Sequence, residues 1–260
     1  MATVNKALPR SKDILLSSGN SSNSGTQNSI LIGIPAKERE AVLSKASSLH
    51  LQKHLILNES GARSEFAYFV TSGLVSFLTV MADGKSVEVG LTGKEGFVGL
   101  PIVFGFETNL TRIVMQVEGS GLRVTRADLV DLLPGCPNLT KSLQRFSQVM
   151  AMQAAQIAAC NRLHEVDRRL ARWLLMSQDR LGGDDVPLTQ ETLAHMLGTR
   201  RASVTVAAGI LQKASLITYR RGDVKIDNRD GLETAACECY ETIKRQADTW
   251  NNEAKARQGS

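Results

Sequence analysis

Two adjacent arginines, Arg200 and Arg201, followed by Ser203 and Thr205, are the side chains of this sequence best suited to recognising a partner. A guanidinium fork pairs with a guanine edge or a phosphate, and hydroxyls close by add further hydrogen bonds. Thr189, Gln190 and Thr199 lie just upstream and join the same candidate set. The elements that must position these residues run from Pro187 to Gln212, PLTQETLAHMLGTRRASVTVAAGILQ. Thr189 is a suitable N-cap, because its hydroxyl satisfies a helix-start N–H that lacks an intrahelical partner. Leu193 and Leu197, with Ala194 and Met196, make a short amphipathic helix that stops at Gly198. A second helix runs from Arg200 or Arg201 to Gln212 and buries Val204, Ala207, Ala208 and Leu211. Two helices this short, joined by a glycine-containing turn, fit a helix-turn-helix whose second helix enters the major groove by its N-terminal part. A plain helical hairpin is the competing arrangement.

The following residues weigh against the plain hairpin. Leu216, Ile217 and Tyr219 read as a strand, Arg221-Gly222-Asp223 as a turn, and Val224 to Asp227 as a returning strand. This is a wing, with Arg220 and Arg221 at its tip. From Pro187 to Ile226, six basic residues (Arg200, Arg201, Lys213, Arg220, Arg221, Lys225) stand against Glu191 and Asp223, which leaves a local +4. Positive charge gathered on a reading helix and a wing is the footprint of a duplex-DNA binder.

The whole chain has 260 residues, room for two ordinary domains. Its 42% hydrophobic and 22% charged residues are those of a soluble globular protein. A pI near 9.1 and a net charge of +5 favour an anionic partner. The N-terminus MATVNKALPRSKDILL has no sustained apolar core, and no apolar run reaches the ~18 residues of a membrane span, so a cytoplasmic protein with free thiols is expected.

Residues 1–29, with SSGNSSNSGTQNS, have the composition of a disordered leader. Pro35 to Leu49 predicts a short helix. From Leu51 to Leu133 short strands alternate with turns: Leu55–Leu57, Phe66–Val70, Leu74–Met81, Ser86–Leu91, Phe97–Val103, Arg112–Val117 and Gly121–Val124. Asp83-Gly84 marks a tight hairpin. Such a series predicts an antiparallel barrel, roll or sandwich. Thr125 caps a short helix ending at Leu133, and Pro134-Gly135 breaks the chain.

The longest helical pattern runs from Asn138 to Leu163. Leu139, Leu143, Phe146, Met150, Gln153, Ile157, Cys160 and His164 alternate at spacings of three and four, a heptad seam fit for a dimer, with Gln153 its polar member. A helix buried against its own domain would show the same stripe. Glu165 to Arg180 is an amphipathic helix with Leu170, Trp173 and Leu174 inward.

This order of strand-rich roll, long helix and winged helix-turn-helix, with LTQETLAHMLGTRRASV, resembles the Crp/Fnr family of bacterial transcription regulators. The likeness covers residues 30 to 235 and is most specific from Leu188 to Ile226. It implies an α+β fold: an N-terminal antiparallel β-roll of the cyclic-nucleotide-binding type (30–135), a dimerisation helix (136–164), a winged helix-turn-helix (165–235) and a C-terminal tail (236–260). It also implies a homodimer that binds palindromic promoter DNA and works with RNA polymerase. By that resemblance Arg201 falls on a guanine-contacting position, and Thr189, Thr199, Arg200 and Ser203 on phosphate-contacting ones. Ala202 and Val206 depart from the pattern, standing where better-known members have a base-reading glutamate and a further arginine. The usual operator is therefore not assumed.

The sensor departs further. Cyclic-AMP binders hold the ribose and phosphate with a Gly-Glu pair followed by an Arg-Ser pair. Here Gly99 is followed by Leu100, and Thr111-Arg112 places the arginine one position later. Without those anchors cyclic AMP is not expected, and no cofactor is assigned. Gly99, Leu100, Thr111, Arg112 and Gln153 remain the candidate ligand pocket, with Arg112 the shifted phosphate ligand.

Cys160 and His164, four apart, and Cys237-x-Cys239 are read as ordinary core residues, and no metal site is expected. A cysteine-free stretch of 135 residues at the N-terminus excludes the clustered cysteines of the family's iron–sulfur members. A cupin-like enzyme would need histidine ligands on the strands, yet residues 55–135 contain none. No nucleophile elbow, P-loop or dinucleotide fingerprint is present, so no catalytic residue is assigned. A protein-binding adaptor built on the same roll is the other alternative, and the basic reading helix weighs against it.

Overall fold

The computed structural model describes residues 27–220 and 222–256. Contacts divide the chain into two compact units. One runs to Phe77 and resumes over Thr92–Thr140; the other joins Leu78–Leu91 to the chain from Lys141 onward.

The first unit begins with Asn28, which is fully buried. Its side-chain NH2 donates to the carbonyls of Val70 and Gly96, each at 2.8 Å, while its oxygen caps helix α1 (Ser29–Ile32). Helix α2 (Ala36–Lys45) follows, then strands β1 (Ser47–Leu51), β2 (Ile56–Asn58), β3 (Phe66–Val80), β4 (Ser86–Thr92) and β5 (Phe97–Val98). Helix α3 (Leu100–Val103), strand β6 (Arg112–Thr125) and helix α4 (Arg126–Leu132) complete it. The sheet order is β1-β6-β3-β4, with β2 also on β6 and β5 on β3. Pairings of β1 and β2 with β6 are antiparallel, as a roll requires. Leu51, Leu57, Tyr68, Val70, Ile113 and Met115 fill the interior.

Several expectations are corrected here. Most of the leader, residues 1–26, lies outside the described residues; order is already established at Asn28 and Ser29, two positions inside the expected leader, because Asn28 has buried backbone partners. The predicted helix to Leu49 stops at Lys45, and Ser47–Leu51 is the edge strand β1. Phe97–Val103 is a two-residue strand followed by a helical turn that starts after Gly99, whose φ is +120°. The turns expected at Thr71–Gly73 and around Gly119 do not form. Each pair of short strands is one long strand, β3 and β6. Glycine serves close approach there instead: a Cβ on Gly119 would sit 2.1 Å from the Ser72 carbonyl oxygen, and one on Gly73 2.7 Å from that of Val117.

The second unit is mainly helical. Its elements are α5 (Pro137–Leu163, whose first turn belongs to the other unit), α6 (Val166–Leu181), β7 (Asp185–Val186), α7 (Gln190–Met196), α8 (Arg201–Lys213), β8 (Ile217–Arg220), β9 (Asp223–Ile226), α9 (Arg229–Ala235) and α10 (Cys239–Ala256). The expected C-terminal tail is thus largely helix. Arg229 holds it, donating to Asp179 at 2.7 Å and to the Tyr240 hydroxyl at 2.6 Å, while Tyr240 donates to Asp179 at 2.9 Å. Among the described residues no helix is long and apolar enough to cross a membrane.

The predicted dimer seam is corrected as well. Leu143, Phe146, Gln153, Ile157 and Cys160 are buried within the single chain, and Met150 is half-buried. Gln153 accepts the backbone N–H of Leu91 at 2.6 Å. The stripe faces the chain's own elements, and a three–four spacing cannot say which partner a helix buries itself against. Outward on α5 lie Gln144, Gln148, Ala151, Ala155, Ala158 and Ala159.

Candidate nucleic-acid interface

Thr189 N-caps α7, its hydroxyl accepting the Thr192 N–H at 3.2 Å. At the far end of α7 the buried guanidinium of Arg169, on α6, donates to the Leu197 carbonyl, which would otherwise be an unpaired helix-end acceptor. Gly198 then turns the chain with φ +58°. Thr199 donates its N–H to the Ala194 carbonyl at 2.9 Å, and Arg200 in extended conformation is the N-cap of α8. Val204, Ala207, Ala208 and Leu211 are buried, as predicted.

This packing leaves one face of α8 outward. Arg200, Arg201, Ala202, Thr205 and Val206 are exposed and Ser203 is half-buried. Arg200 and Arg201 stand at the first turn, where the helix dipole and unpaired N–H groups also favour an anion. Gln190 and Thr205 meet, the hydroxyl donating to the Gln190 Oε1 at 2.8 Å and also to the Arg201 carbonyl at 3.1 Å. That pair ties α7 to α8 on the outward side. Val206 is 65% exposed, an apolar side chain held in water one turn beyond Ala202.

The wing forms as read, with Ile217 opposite Ile226 and Arg220 opposite Asp223. A strand not foreseen, β7, pairs with β9 and makes the wing three-stranded. Tyr219 donates its hydroxyl to the Leu188 carbonyl at 3.1 Å, which fixes the wing beside the start of α7. Arg220 is exposed; Arg221 lies outside the described residues. The candidates Thr189, Gln190, Thr199, Arg200, Arg201, Ser203, Thr205 and Arg220 are therefore all brought together on one motif and its wing.

The candidate ligand pocket is less coherent. Arg112 is half-buried, and its Nε donates to Glu59 at 2.7 Å, so an anionic ligand would have to displace a carboxylate. Gly99 approaches Ala67 so closely that a Cβ would fall 2.8 Å from that side chain, a packing reason for the glycine. Leu100 opens α3, and Thr111 accompanies Arg112 at the start of β6. The Gln153 amide oxygen is engaged by Leu91.

One grouping was missed from sequence. Cys160, His164, Cys237 and Cys239 converge, their ligand atoms all within 4.8 Å of one another. The two halves are separated by more than 70 residues, so only the CxC pair and the Cys–His spacing were visible beforehand.

Residues 168–235 match the Crp-like helix-turn-helix domain family. Solved structures share the fold at low identity. FixK2 from Bradyrhizobium japonicum is 16% identical, over 74% of this chain and 98% of that one, with a TM-score of 0.64. The c-di-GMP-responsive global regulator CLP of Xanthomonas campestris is 18% identical, over 74% and 99%, with a TM-score of 0.62. A Crp/Fnr-family transcriptional regulator from Thermus thermophilus is 20% identical, over 73% and 98%, with a TM-score of 0.61. A search of curated protein sequences finds no match. Residues 168–235 are thus matched to a Crp-like helix-turn-helix domain, and the chain shares the fold of solved Crp/Fnr regulators.

Proposed function

We propose that this chain is a transcription regulator of the Crp/Fnr type, which binds a two-fold symmetric promoter site as a homodimer, each protomer placing the first turn of α8 in the major groove. The observation that carries the reading is the outward pair Arg200 and Arg201 at the start of a helix whose other face is fully packed. In this reading Arg201 takes a guanine edge, while Arg200, Ser203, Thr189 and Thr199 take phosphates. Arg220 and Arg221 of the wing add backbone contacts. Val206, exposed and apolar, suits a thymine methyl group.

Two half-sites one helical turn apart require the motifs to be spaced by roughly 34 Å, which a pair of long helices can hold. The dimer face we assign is the outward stripe of α5, Ala151, Ala155, Ala158 and Ala159 with Gln144 and Gln148. Small side chains there permit close approach of the second helix. Cyclic AMP is not the effector by the usual mode, since Leu100 offers no ribose acceptor and Arg112 is paired with Glu59. A cytoplasmic setting and contact with RNA polymerase follow from the same reading. Selection from random duplex DNA with purified protein tests it: a symmetric site that is lost on Arg201→Ala supports the reading. Binding without sequence preference, unchanged by Arg201→Ala, refutes it.

A further inference from the structure

We propose that Cys160, His164, Cys237 and Cys239 form a four-coordinate site for a single zinc-type divalent ion, tying the end of α5 to the start of α10. Cys160 and His164 lie one helical turn apart at the C-terminal end of α5. Cys237 and Cys239 flank Glu238 where the chain passes from α9 into α10. All four ligand atoms fall within 4.8 Å of one another. The Cys160 and Cys237 sulfurs are 3.4 Å apart, and the Cys239 sulfur is 3.6 Å from His164 Nδ1. A tetrahedral ion with metal–sulfur bonds of ~2.3 Å and metal–nitrogen bonds of ~2.0 Å sets its ligands about 3.5–3.8 Å apart. The spacing is that of a site around one ion.

Two features beyond the four ligands point the same way. His164 turns its other ring nitrogen, Nε2, to Glu238 at 3.2 Å, the carboxylate–histidine arrangement that orients a metal-bound imidazole. Gln156 Nε2 lies 3.1 Å from the Cys239 sulfur and donates to it. The second feature is charge. Arg169 and Arg172 on α6 are 7% and 2% exposed, and the Nε of each has no hydrogen-bond partner among the described residues. Arg172 acts electrostatically on Cys160, and Arg169 on both Cys160 and Cys237. Buried guanidinium charge needs a counter-charge close by. Three thiolates around a divalent ion carry a net −1 and supply it. Cys237 also borders a surface pocket with Asp230, Glu233, Glu238 and Glu241, carboxylates that draw a cation toward the thiols.

Competing occupants fit less well. A Cys160–Cys237 disulfide would leave Cys239 and His164 idle and remove the thiolates that face the arginines. An iron–sulfur cluster spreads its four ligands over two or more irons and so needs them farther apart than these, all of which lie within 4.8 Å of one another. Calcium and magnesium prefer oxygen donors.

The test uses the full chain, purified under reducing conditions without chelator, with metal content measured by mass spectrometry. One zinc per chain is expected. Replacement by Co(II) should give the intense visible absorption of tetrahedral cobalt with thiolate charge-transfer bands, and Zn(II) should titrate it away. Cys237→Ser should lose the thiolate bands in proportion. Glu238→Gln, a near-isosteric change at a side chain 72% exposed, should weaken Zn(II) binding by about 10- to 100-fold while leaving the thermal melt of the metal-free chain unchanged. A chain with neither zinc nor cobalt absorption overturns the proposal. So do iron with acid-labile sulfide, or metal held equally well by the Cys160→Ser/Cys237→Ser variant.

Discussion

The indole N–H of Trp173 donates to the carboxylate of Glu88 at 2.8 Å, with both residues almost fully buried. Trp173 belongs to α6, the first helix of the DNA-binding region, and Glu88 to strand β4 of the hairpin that continues the roll. Beside them Val87 lies so close to Gly198 that a Cβ on that glycine would be 2.8 Å from it. The hairpin therefore touches the turn that sets the reading helix. Glu88→Ala leaves a buried indole N–H unpaired and should cost about 1–3 kcal/mol. Trp173→Phe should cost a comparable amount, and the double variant less than the two together. Urea unfolding of the four proteins checks it; strictly additive costs would show that the bond carries no coupling.

Gly198→Ala is expected to do more than its size suggests. Its φ of +58° disfavours any side chain, and Val87 occupies the space. Destabilisation above ~1 kcal/mol is expected, together with weaker DNA binding, both readable from thermal melts and a DNA titration. A variant with wild-type melting and wild-type affinity would show that the hairpin yields freely.

Gln153 and Ala155 separate two views of α5. Gln153→Leu deprives the Leu91 N–H of its acceptor and should cost about 1–3 kcal/mol while leaving the association state unchanged. Ala155→Glu, on the outward face, should leave the fold intact and dissociate the proposed dimer. Sedimentation at several concentrations distinguishes them, and the reverse pattern would restore the buried stripe as the seam.

Reading-helix variants should divide by role. Arg201→Ala should cost about 1–3 kcal/mol at the selected site and relax preference at one base pair in each half-site. Arg200→Ala should weaken all duplexes alike and lower the salt dependence by about one counterion per protomer. Val206→Ser should lose preference for thymine at the facing position. Competition titrations at two salt concentrations measure all three.

Glu38 gives a pH signature in the roll. From α2 it accepts the Leu139 N–H at 2.8 Å and the Asn138 side-chain amide at 2.7 Å, capping the start of α5 across a hundred residues. Burial opposes ionisation, but these hydrogen bonds outweigh it and hold the carboxyl below its ordinary value of 4.5. The folded state thus releases this proton more readily than the unfolded one. Its stabilisation is present in full above pH 4.5 and fades as pH falls below that value toward the lowered one. Glu38→Ala should cost about 1.5–3 kcal/mol at neutral pH and less as the solution is acidified through that window, in denaturant melts at stepped pH.

The reading helix and its wing were legible in the sequence because their signals are local. Thr189 caps, Gly198 turns, and Val204, Ala207, Ala208 and Leu211 repeat with the helical period, so Arg200 and Arg201 could be placed on the outer face without a fold. What a residue faces at long range was not legible. The α5 stripe gave the helix but not its partner, since a seam and a core face have the same period. Gly73 and Gly119 read as turns, although they exist to let two long strands cross closely. Trp173 with Glu88, Glu38 with Leu139, and the gathering of Cys160 and His164 with Cys237 and Cys239 were decided only when the chain folded back on itself. Those pairings depend on distances between residues about 70 to 100 positions apart, and no local propensity encodes them.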